Sequence, residues 1–238
     1  MKDAPLRLAL FDVDGTLSDS QEHICAAMTG AFAAAGLPAP EAEAIRRIVG
    51  LSLPVAIARL APEAGPEVQQ TIFDAYRQAY FTQRQSAPAP LFAGAAQTLA
   101  RLDAGGAWLL GVATGKSRRG LDHLLEYHDL ERFFVTRQVA DDHPSKPHPA
   151  MALAALAAAG VAPENGVMIG DTTFDIEMGR AAGMRTIAVS WGYHPVAALE
   201  AAGPDQIVND FAALEAALAE MARDMAQGMM QDAGDDER

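Results

Sequence analysis

The chain has 238 residues, half of them hydrophobic, so it is long enough for one or two globular domains with a buried core. It has 31 acidic against 18 basic residues, and a net charge of -13 disfavours nucleic acid as a partner, because such a surface repels phosphate backbones. No apolar run approaches the roughly 20 residues of a membrane-spanning helix, so we expect no membrane partner. Cys25 is the single cysteine, which rules out an internal disulfide and favours a cytoplasmic location.

Short apolar runs predict five β-strands, and alanine-rich helical segments separate the last four. The strands are expected at Arg7–Phe11, Ala107–Ala113, Phe133–Val139, Val167–Ile169 and Thr186–Ser190. Among the helices between them are Gly94–Leu102, Pro149–Ala159 and Asp175–Ala182. This alternation predicts an α/β fold, a Rossmann-like, doubly wound parallel sheet with helices on both faces.

The first two predicted strands break this alternation, because roughly ninety residues separate them, far more than one crossover needs. The segment Gln21–Ser86 has no convincing strand, and apolar residues recur there at helical spacing, at Ile24, Met28, Phe32 and Ala35. We therefore predict an all-helical cap domain of residues 20–86, inserted into a core formed by residues 1–19 and 87–238. The alternative is a long helical connection within one compact domain.

Two carboxylates, Asp12 and Asp14, leave the first predicted strand together. Side chains two positions apart on an extended segment point the same way, and ligands bind at the carboxyl ends of strands in an α/β sheet. Two like charges this close are costly unless a cation or a proton neutralises one of them. The pair therefore predicts a metal ion, a shared proton, or both. Gly15 permits a tight turn and a close approach of the backbone to a ligand.

Two further segments are suited to binding an anion. Thr114 and Gly115 follow the second predicted strand, where the hydroxyl can donate a hydrogen bond and the glycine can expose its amide. Lys146 precedes a helix in a loop with prolines on both sides of His148, which limit the backbone and hold the ammonium in a fixed place. Each of these segments, taken alone, is also compatible with an ordinary turn or a solvated charge.

A third carboxylate, Asp171, follows the strand predicted at Val167–Ile169, and Asp175 begins the next helix. An aspartate at the start of a helix is usually a capping residue, which is the simpler interpretation of Asp175. Four carboxylates, a hydroxyl and a lysine are nevertheless predicted at one edge of the sheet. Hard oxygen ligands with few histidines nearby favour Mg²⁺ over zinc.

The motif Asp12-x-Asp14-Gly15-Thr16, followed by Thr114, Lys146 and Gly170-Asp171…Asp175, resembles the four motifs of the haloacid dehalogenase superfamily in the same order. The match spans nearly the whole chain, and its first motif is the most specific. A helical insert just after that motif is similar to the cap of the phosphoglycolate phosphatase and phosphomutase branch.

The resemblance implies a phosphatase that works through an aspartyl-phosphate intermediate. Asp12 would be the nucleophile, and Asp14 would protonate the leaving alkoxide and later deprotonate the attacking water. Mg²⁺ would be held by Asp12, the backbone carbonyl of Asp14 and Asp171, with Asp175 reached directly or through water. The groups expected to bind the phosphate oxygens are Thr114, Lys146 and the backbone around Gly15, Thr16 and Gly115.

Two features separate this chain from other branches of the superfamily. Dehalogenases lack an acid at the position of Asp14, and phosphonatases use a cap lysine, whereas the segment Gln21–Ser86 contains no lysine. We therefore expect Mg²⁺-dependent hydrolysis of a small phosphomonoester, such as phosphoglycolate. A sugar phosphomutase, an inorganic pyrophosphatase of the same superfamily and a non-catalytic phosphate-binding module are the alternatives.

The loop Arg46–Pro54 of the predicted cap is expected to face the leaving group. Arg46 or Arg47 would bind a substrate carboxylate through a bidentate contact, although each is also explained as a solvated cation at a helix end. Ser52 is a further candidate for substrate binding, and Ser18–Ser20 is predicted to form part of a hinge. The expected partner is a small phosphorylated metabolite, and the alanine-rich helices are compatible with a monomer or a homodimer.

Overall fold

The computed structural model describes residues 6–86 and 88–235. Within these residues, six strands form one sheet in which every neighbouring pair is parallel. They are β1 (Leu8–Phe11), β2 (Leu109–Thr114), β3 (Phe134–Val139), β4 (Gly166–Gly170), β5 (Arg185–Val189) and β6 (Gln206–Val208). Their order across the sheet is β3-β2-β1-β4-β5-β6. The prediction of a doubly wound, Rossmann-like α/β fold is confirmed.

All five predicted strands are present, with ends displaced by one or two residues, as is usual for element boundaries. Alternation along β1 sends Leu8 and Leu10 into one apolar layer and Ala9 and Phe11 into the other. The sequence pattern does not predict β6, because three residues are too few to show a period.

The described residues contain ten α-helices, and none of them is both long and apolar enough to cross a lipid bilayer. The three predicted helices correspond to α5, α7 and α8 in the following list. The helices are α1 (Gln21–Ala34), α2 (Ala42–Arg46), α3 (Leu53–Leu60), α4 (Pro66–Ser86), α5 (Ala95–Gly105), α6 (Arg118–Tyr127), α7 (Ala150–Ala159), α8 (Thr173–Ala181), α9 (Val196–Ala202) and α10 (Phe211–Asp235).

Helices α1 to α4, which we call the cap helices, follow β1 directly and share an apolar cluster of their own. Ile24, Met28 and Phe32 are buried in it, as their helical spacing predicts, and Ile72 of α4 is buried against them. The division of the chain into a core and a cap domain stays a prediction. Its second boundary falls beside residue 87, which lies outside the described residues.

The order of the strands places the ends of β1 and β4 side by side. Phe11 pairs with Ile169, so the residues that follow these strands emerge next to one another. Along the chain β1 is followed by β2, which lies on one side of this adjacent pair, and β4 is followed by β5, which lies on the other side. At such a position, where the strand order reverses direction, α/β folds open a crevice for ligands.

Candidate active site

Three buried carboxylates meet beyond the carboxyl ends of β1 and β4. Asp12, Asp171 and Asp175 each offer an oxygen, and these atoms lie within 4.8 Å of one another. The backbone N–H of Asp12 donates to the carbonyl oxygen of Ile169 at 2.9 Å, so the pairing of the two strands fixes the first two carboxylates. Asp175 reaches the same point from the first turn of α8. We call these three residues the carboxylate cluster.

Lys146 places its ammonium between two members of the cluster. Nζ lies 2.8 Å from Oδ1 of Asp12 and 2.6 Å from Oδ1 of Asp175, and the side chain is fully buried. Burial alone would lower the pKa of Lys146, but the neighbouring charges of Asp12 and Asp175 raise it above its ordinary value. The lysine therefore stays charged, and it orients both carboxylates.

Asp171 and Asp175 also accept hydrogen bonds from residues near them in the fold. Asp171 accepts one from the hydroxyl of Thr16 and one from the backbone N–H of Tyr193, both at 2.9 Å. Asp175 accepts the backbone N–H of Thr172 at 3.1 Å and its hydroxyl at 2.6 Å. Thr172 is the N-cap of α8 and Asp175 completes a capping box, so Asp175 caps the helix and joins the cluster at once.

Asp12 has one oxygen without a partner. Its Oδ2 is buried and accepts no hydrogen bond from the described residues. Burial raises the pKa of Asp12 to about 7, and repulsion from Asp175 raises it further, whereas the charge of Lys146 lowers it. Burial and the charges of Asp12 and Asp175 also raise the pKa of Asp171 well above its ordinary value.

The cluster fits a divalent cation in three respects. Its donors are all oxygens, which Mg²⁺ prefers. Asp12 also keeps one buried oxygen, Oδ2, that has no hydrogen-bond partner among the described residues. Three ionised carboxylates facing the single ammonium of Lys146 leave two uncompensated negative charges, which is the charge that such an ion would neutralise.

The turn after β1 requires a glycine at position 15. Gly15 has a φ of +89°, and a Cβ there would lie 2.1 Å from Oδ2 of Asp171. Its backbone N–H donates to the carbonyl oxygen of Ser18 at 2.9 Å, and that of Thr16 donates to Val13 at 3.3 Å. In this structure the two predicted phosphate-binding amides therefore close the turn itself.

Thr114 and Gly115 end β2 beside the same crevice. Thr114 is fully buried, and its hydroxyl accepts the backbone N–H of Lys116 at 3.2 Å. A Cβ on Gly115 would lie 2.7 Å from the carbonyl oxygens of both Gly50 and Leu51. Only a glycine allows the loop between α2 and α3 to approach the core this closely.

The carboxylate of Asp14 has its hydrogen-bond partners outside the carboxylate cluster. Its Oδ1 accepts hydrogen bonds from the hydroxyl of Ser20 and from Nζ of Lys116, the latter at 2.7 Å. Lys116 also donates to the hydroxyl of Tyr80 on α4 at 2.8 Å. The two aspartates of the first motif therefore have separate environments, although only one residue lies between them.

A cavity of about 1100 Å³ lies between the core and the cap helices, and Asp14 forms part of its wall. Other residues on the core side are Gly115, Lys116, Ser117, Arg119 and His143. Apolar and aromatic side chains predominate on the cap side, among them Ile24, Met28, Leu51, Phe73, Tyr76, Tyr80 and Phe81. The cavity therefore connects a carboxylate of the first motif with a largely apolar surface.

Comparison with known proteins identifies the family. A family model described as haloacid dehalogenase-like hydrolase matches residues 9–189. The chain belongs to this family. It is 37% identical over 210 residues to the probable phosphatase IndB of Dickeya dadantii, covering 86% of this chain and 90% of that protein. It is 32% identical over 220 residues to a phosphoglycolate phosphatase of Agrobacterium fabrum, covering 90% and 92%.

A solved haloacid dehalogenase-like hydrolase from Streptococcus pneumoniae has a similar structure. It is 27% identical, with a TM-score of 0.78, and the match covers 90% of this chain and 98% of that one. The predicted resemblance to the haloacid dehalogenase superfamily is confirmed, and the protein is a hydrolase.

The predicted cap residues of this haloacid dehalogenase-like hydrolase lie in different environments. Ser52 lines the cavity, and its backbone N–H donates to the hydroxyl of Ser145 at 2.9 Å. Arg47 is exposed and pairs with Glu43, and neither Arg46 nor Arg47 is among the described residues that line the cavity. Their role in substrate binding stays a prediction.

Sequence reasoning assigned no role to the partners of Asp14. Lys116 follows the second motif but resembles an ordinary surface lysine, and Ser20 lies in the predicted hinge. Tyr193, whose hydroxyl accepts the backbone N–H of Ser20 at 2.9 Å, lies 173 residues further along the chain. The small number of lysines is the one available signal, because two of the three lysines, Lys116 and Lys146, are buried at this site.

Proposed function

We propose that this hydrolase is a Mg²⁺-dependent phosphatase that cleaves a small phosphomonoester of the phosphoglycolate type through an aspartyl-phosphate intermediate. The observation that carries the proposal is the unpaired Oδ2 of Asp12, buried within the carboxylate cluster and oriented by Lys146. Phosphate esters as substrates are supported by the relatives that are named phosphatases.

In the first half of the reaction Asp12 attacks the phosphorus, and the bond between phosphorus and the leaving oxygen breaks. Asp14 gives its proton to that oxygen, so the product leaves as an alcohol. This assignment is supported by the position of Asp14, which lies in the wall of the cavity while Asp12 lies in the cluster. The nucleophile and the acid thus act on opposite ends of the bond that breaks.

In the second half a water attacks the phosphorus of the aspartyl-phosphate. Asp14, now ionised, takes a proton from this water, and the bond between phosphorus and the carboxylate oxygen of Asp12 breaks. Inorganic phosphate leaves, and both aspartates return to their starting states. Nζ of Lys116, 2.7 Å from Oδ1 of Asp14, helps to hold the side chain of Asp14 in place.

Mg²⁺ would be held by Asp12, Asp171 and the backbone carbonyl of Asp14, with Asp175 reached directly or through water. When bound, the ion offsets the negative charge of the carboxylates and of the phosphate that Asp12 must attack. Asp175 also holds Lys146 with its Oδ1 while its Oδ2 caps α8.

The phosphoryl oxygens would be bound by Thr114, Lys146 and the backbone near Gly115, and the amides of Gly15 and Thr16 would join them only by giving up their hydrogen bonds within the turn. Because the hydroxyl oxygen of Thr114 accepts the backbone N–H of Lys116, its own hydrogen is available to donate to an anion. Lys146 contributes a fixed positive charge beside the nucleophile.

The size of the cavity favours a substrate whose leaving group is larger than glycolate. Its volume of about 1100 Å³ far exceeds the space such a small acid needs, and its cap side is mostly apolar. A sugar phosphomutase must hold and reposition a polar sugar, so this surface favours hydrolysis over that alternative. We further propose a cytoplasmic enzyme whose partner is a small phosphorylated metabolite, acting as a monomer or a homodimer.

The test is phosphate release from a panel of small phosphomonoesters and pyrophosphate, with and without Mg²⁺. Replacing Asp12 with asparagine keeps the shape of the side chain but removes the nucleophile, so Asp12→Asn should lower kcat roughly a thousandfold or more. Asp103→Asn, at an exposed position of α5, is the matched control.

Undiminished hydrolysis in Asp12→Asn would refute the role of Asp12. Pyrophosphate as the one substrate hydrolysed would favour the pyrophosphatase alternative. Isomerisation of a sugar phosphate without net release of phosphate would favour the phosphomutase. Binding of Mg²⁺ and phosphate without turnover of any ester would instead favour the phosphate-binding module.

A further inference from the structure

The carboxylate of Asp14 is held from the core and from the cap at the same time. Lys116, which lies 2.7 Å away, is on the core side, two residues after the end of β2. The side chains of Lys116 and Asp14 are only 6% and 11% exposed, so the contact between them is largely shielded from water. Ser20, the residue before α1, donates a second hydrogen bond to the same oxygen of Asp14.

Lys116 has its own partner on the cap. Its Nζ donates to the hydroxyl of Tyr80 at 2.8 Å and lies 5.1 Å from the centre of the Tyr80 ring. Tyr80 is located on α4, and its ring stacks on that of Tyr76 at a distance of 5.7 Å. One ammonium thus connects the proposed acid of the core with the longest of the cap helices.

These contacts exist only while the cap helices rest against the core. The cap helices pack closely on the core, because the carbonyl oxygens of Gly50 and Leu51 lie against Gly115, the residue before Lys116. His194 adds a further contact, since its Nε2 donates to the backbone carbonyl of Arg47 at 3.3 Å. Moving α4 away would remove the Tyr80 hydroxyl from Lys116 and leave its ammonium free to turn.

We propose that Tyr80 and Lys116 are positioning residues that align Asp14 for proton transfer when the cap helices lie against the core. This inference rests on the proposed function, in which Asp14 protonates the leaving oxygen. Tyr80 fixes the direction of the Lys116 ammonium, and Lys116 fixes the rotamer of Asp14. The acid is therefore aligned in the closed arrangement, in which the cavity is enclosed on its cap side.

The test uses two esters of similar size that differ in their need for an acid. The leaving group of benzyl phosphate is a strongly basic alkoxide, which must be protonated as it departs. The leaving group of para-nitrophenyl phosphate is a stable anion, which departs without a proton. Tyr80→Phe keeps the ring and removes the hydroxyl that Lys116 contacts. It should lower kcat roughly tenfold or more for benzyl phosphate and by less than about threefold for the nitrophenyl ester.

Tyr127→Phe is the matched control, because it also removes a tyrosine hydroxyl, at an exposed position outside the cavity. It should change kcat for the two esters by the same factor. Lys116→Met should repeat the selective loss of Tyr80→Phe, and Lys116→Arg, which keeps the charge, should recover part of it. Circular dichroism and thermal unfolding of each variant separate a loss of fold from a loss of alignment.

Three results would overturn the inference. An equal loss for both esters in Tyr80→Phe would show a general disturbance of the cap. A rise in KM with unchanged kcat would assign Tyr80 to binding of the leaving group. If the wild-type enzyme releases phosphate from neither ester nor from the wider panel, the proposed function fails and the inference fails with it. The first two results leave the proposed function intact, so the two failures can be told apart.

Discussion

Two parts of the site differ in how their geometry is fixed: the carboxylate cluster with Lys146, called the core wall below, and the largely apolar cap side of the cavity, called the cap wall. On the core side, the oxygens of Asp171 and Asp175 all accept hydrogen bonds, and Lys146 is fully buried between two carboxylates. On the cap side, the wall consists mainly of apolar and aromatic side chains, such as Met28 and Phe73. The geometry of the first wall is fixed by directional bonds, and that of the second mainly by shape.

This difference separates two tasks of the enzyme. Chemistry at phosphorus needs charges held in fixed positions, which the carboxylate cluster provides through strand pairing and a capping box. Selection of the leaving group needs a complementary surface, and apolar contact discriminates only moderately between substrates. We therefore expect large losses of activity from changes to the core wall and shifts of preference from changes to the cap wall.

The largest effect is expected for Lys146→Met. Removing the ammonium leaves Asp12 and Asp175 buried without their counter-charge, which should cost about 3 to 5 kcal/mol of unfolding free energy. Phosphate release should fall roughly a thousandfold or more. Arg132→Met breaks the exposed ion pair with Asp129 and is the control. Similar activity of the two variants would show that the core wall does not depend on Lys146.

Gly15→Ala should have the next largest effect. The φ of +89° strains any side chain, and the new Cβ would meet Oδ2 of Asp171 at 2.1 Å, so the cluster must shift. Displacement of this size should lower kcat roughly a hundredfold. Gly36→Ala, at a φ of +71° with no atom within 4 Å, isolates the backbone strain. It should lower the melting temperature but leave kcat unchanged.

Phe73→Ala tests the cap wall. Loss of this ring should lower kcat/KM for benzyl phosphate roughly tenfold relative to phosphoglycolate, because the smaller ester does not need the apolar surface. Tyr127→Ala, at an exposed position outside the cavity, should leave the ratio unchanged. Equal losses for both esters in Phe73→Ala would remove the proposed division of tasks.

The smallest effect is expected in the pH dependence of stability. The pKa of Asp12 rises on folding from 3.8 to about 7. Its protonated form therefore stabilises the metal-free fold below about pH 4, and this contribution is lost as the pH rises through about 7. Because Mg²⁺ requires ionised carboxylates, the rise in melting temperature that it causes should be larger at about pH 8 than at about pH 5. An equal rise at both values would contradict the assignment of the cluster as the metal site.

The sequence predicted the core wall better than the cap wall, for a physical reason. Asp12 and Asp171 could be located because parallel strands bring their ends to one edge, a rule that needs only the positions of the strands. Asp175 showed a capping signal, but its second contact, with Lys146, depends on a loop 29 residues away.

The contacts across the cavity could not be predicted. The pair of Lys116 and Tyr80 spans 36 residues and joins a strand end to a helix whose orientation no local pattern specifies. The apolar residues of α1 indicated a helix, but not which of its neighbours it would face. Strand β6 was missed because a segment of three residues is too short to show a periodic pattern.

The burial of the lysines also has a practical consequence. Lys116 and Lys146 are 8% and 1% exposed, and Lys2 is the only other lysine of the chain. Acylating reagents directed at amines should modify the first two only in molecules that have opened. Labelling at these positions, read by mass spectrometry, would therefore report how often the enzyme unfolds locally.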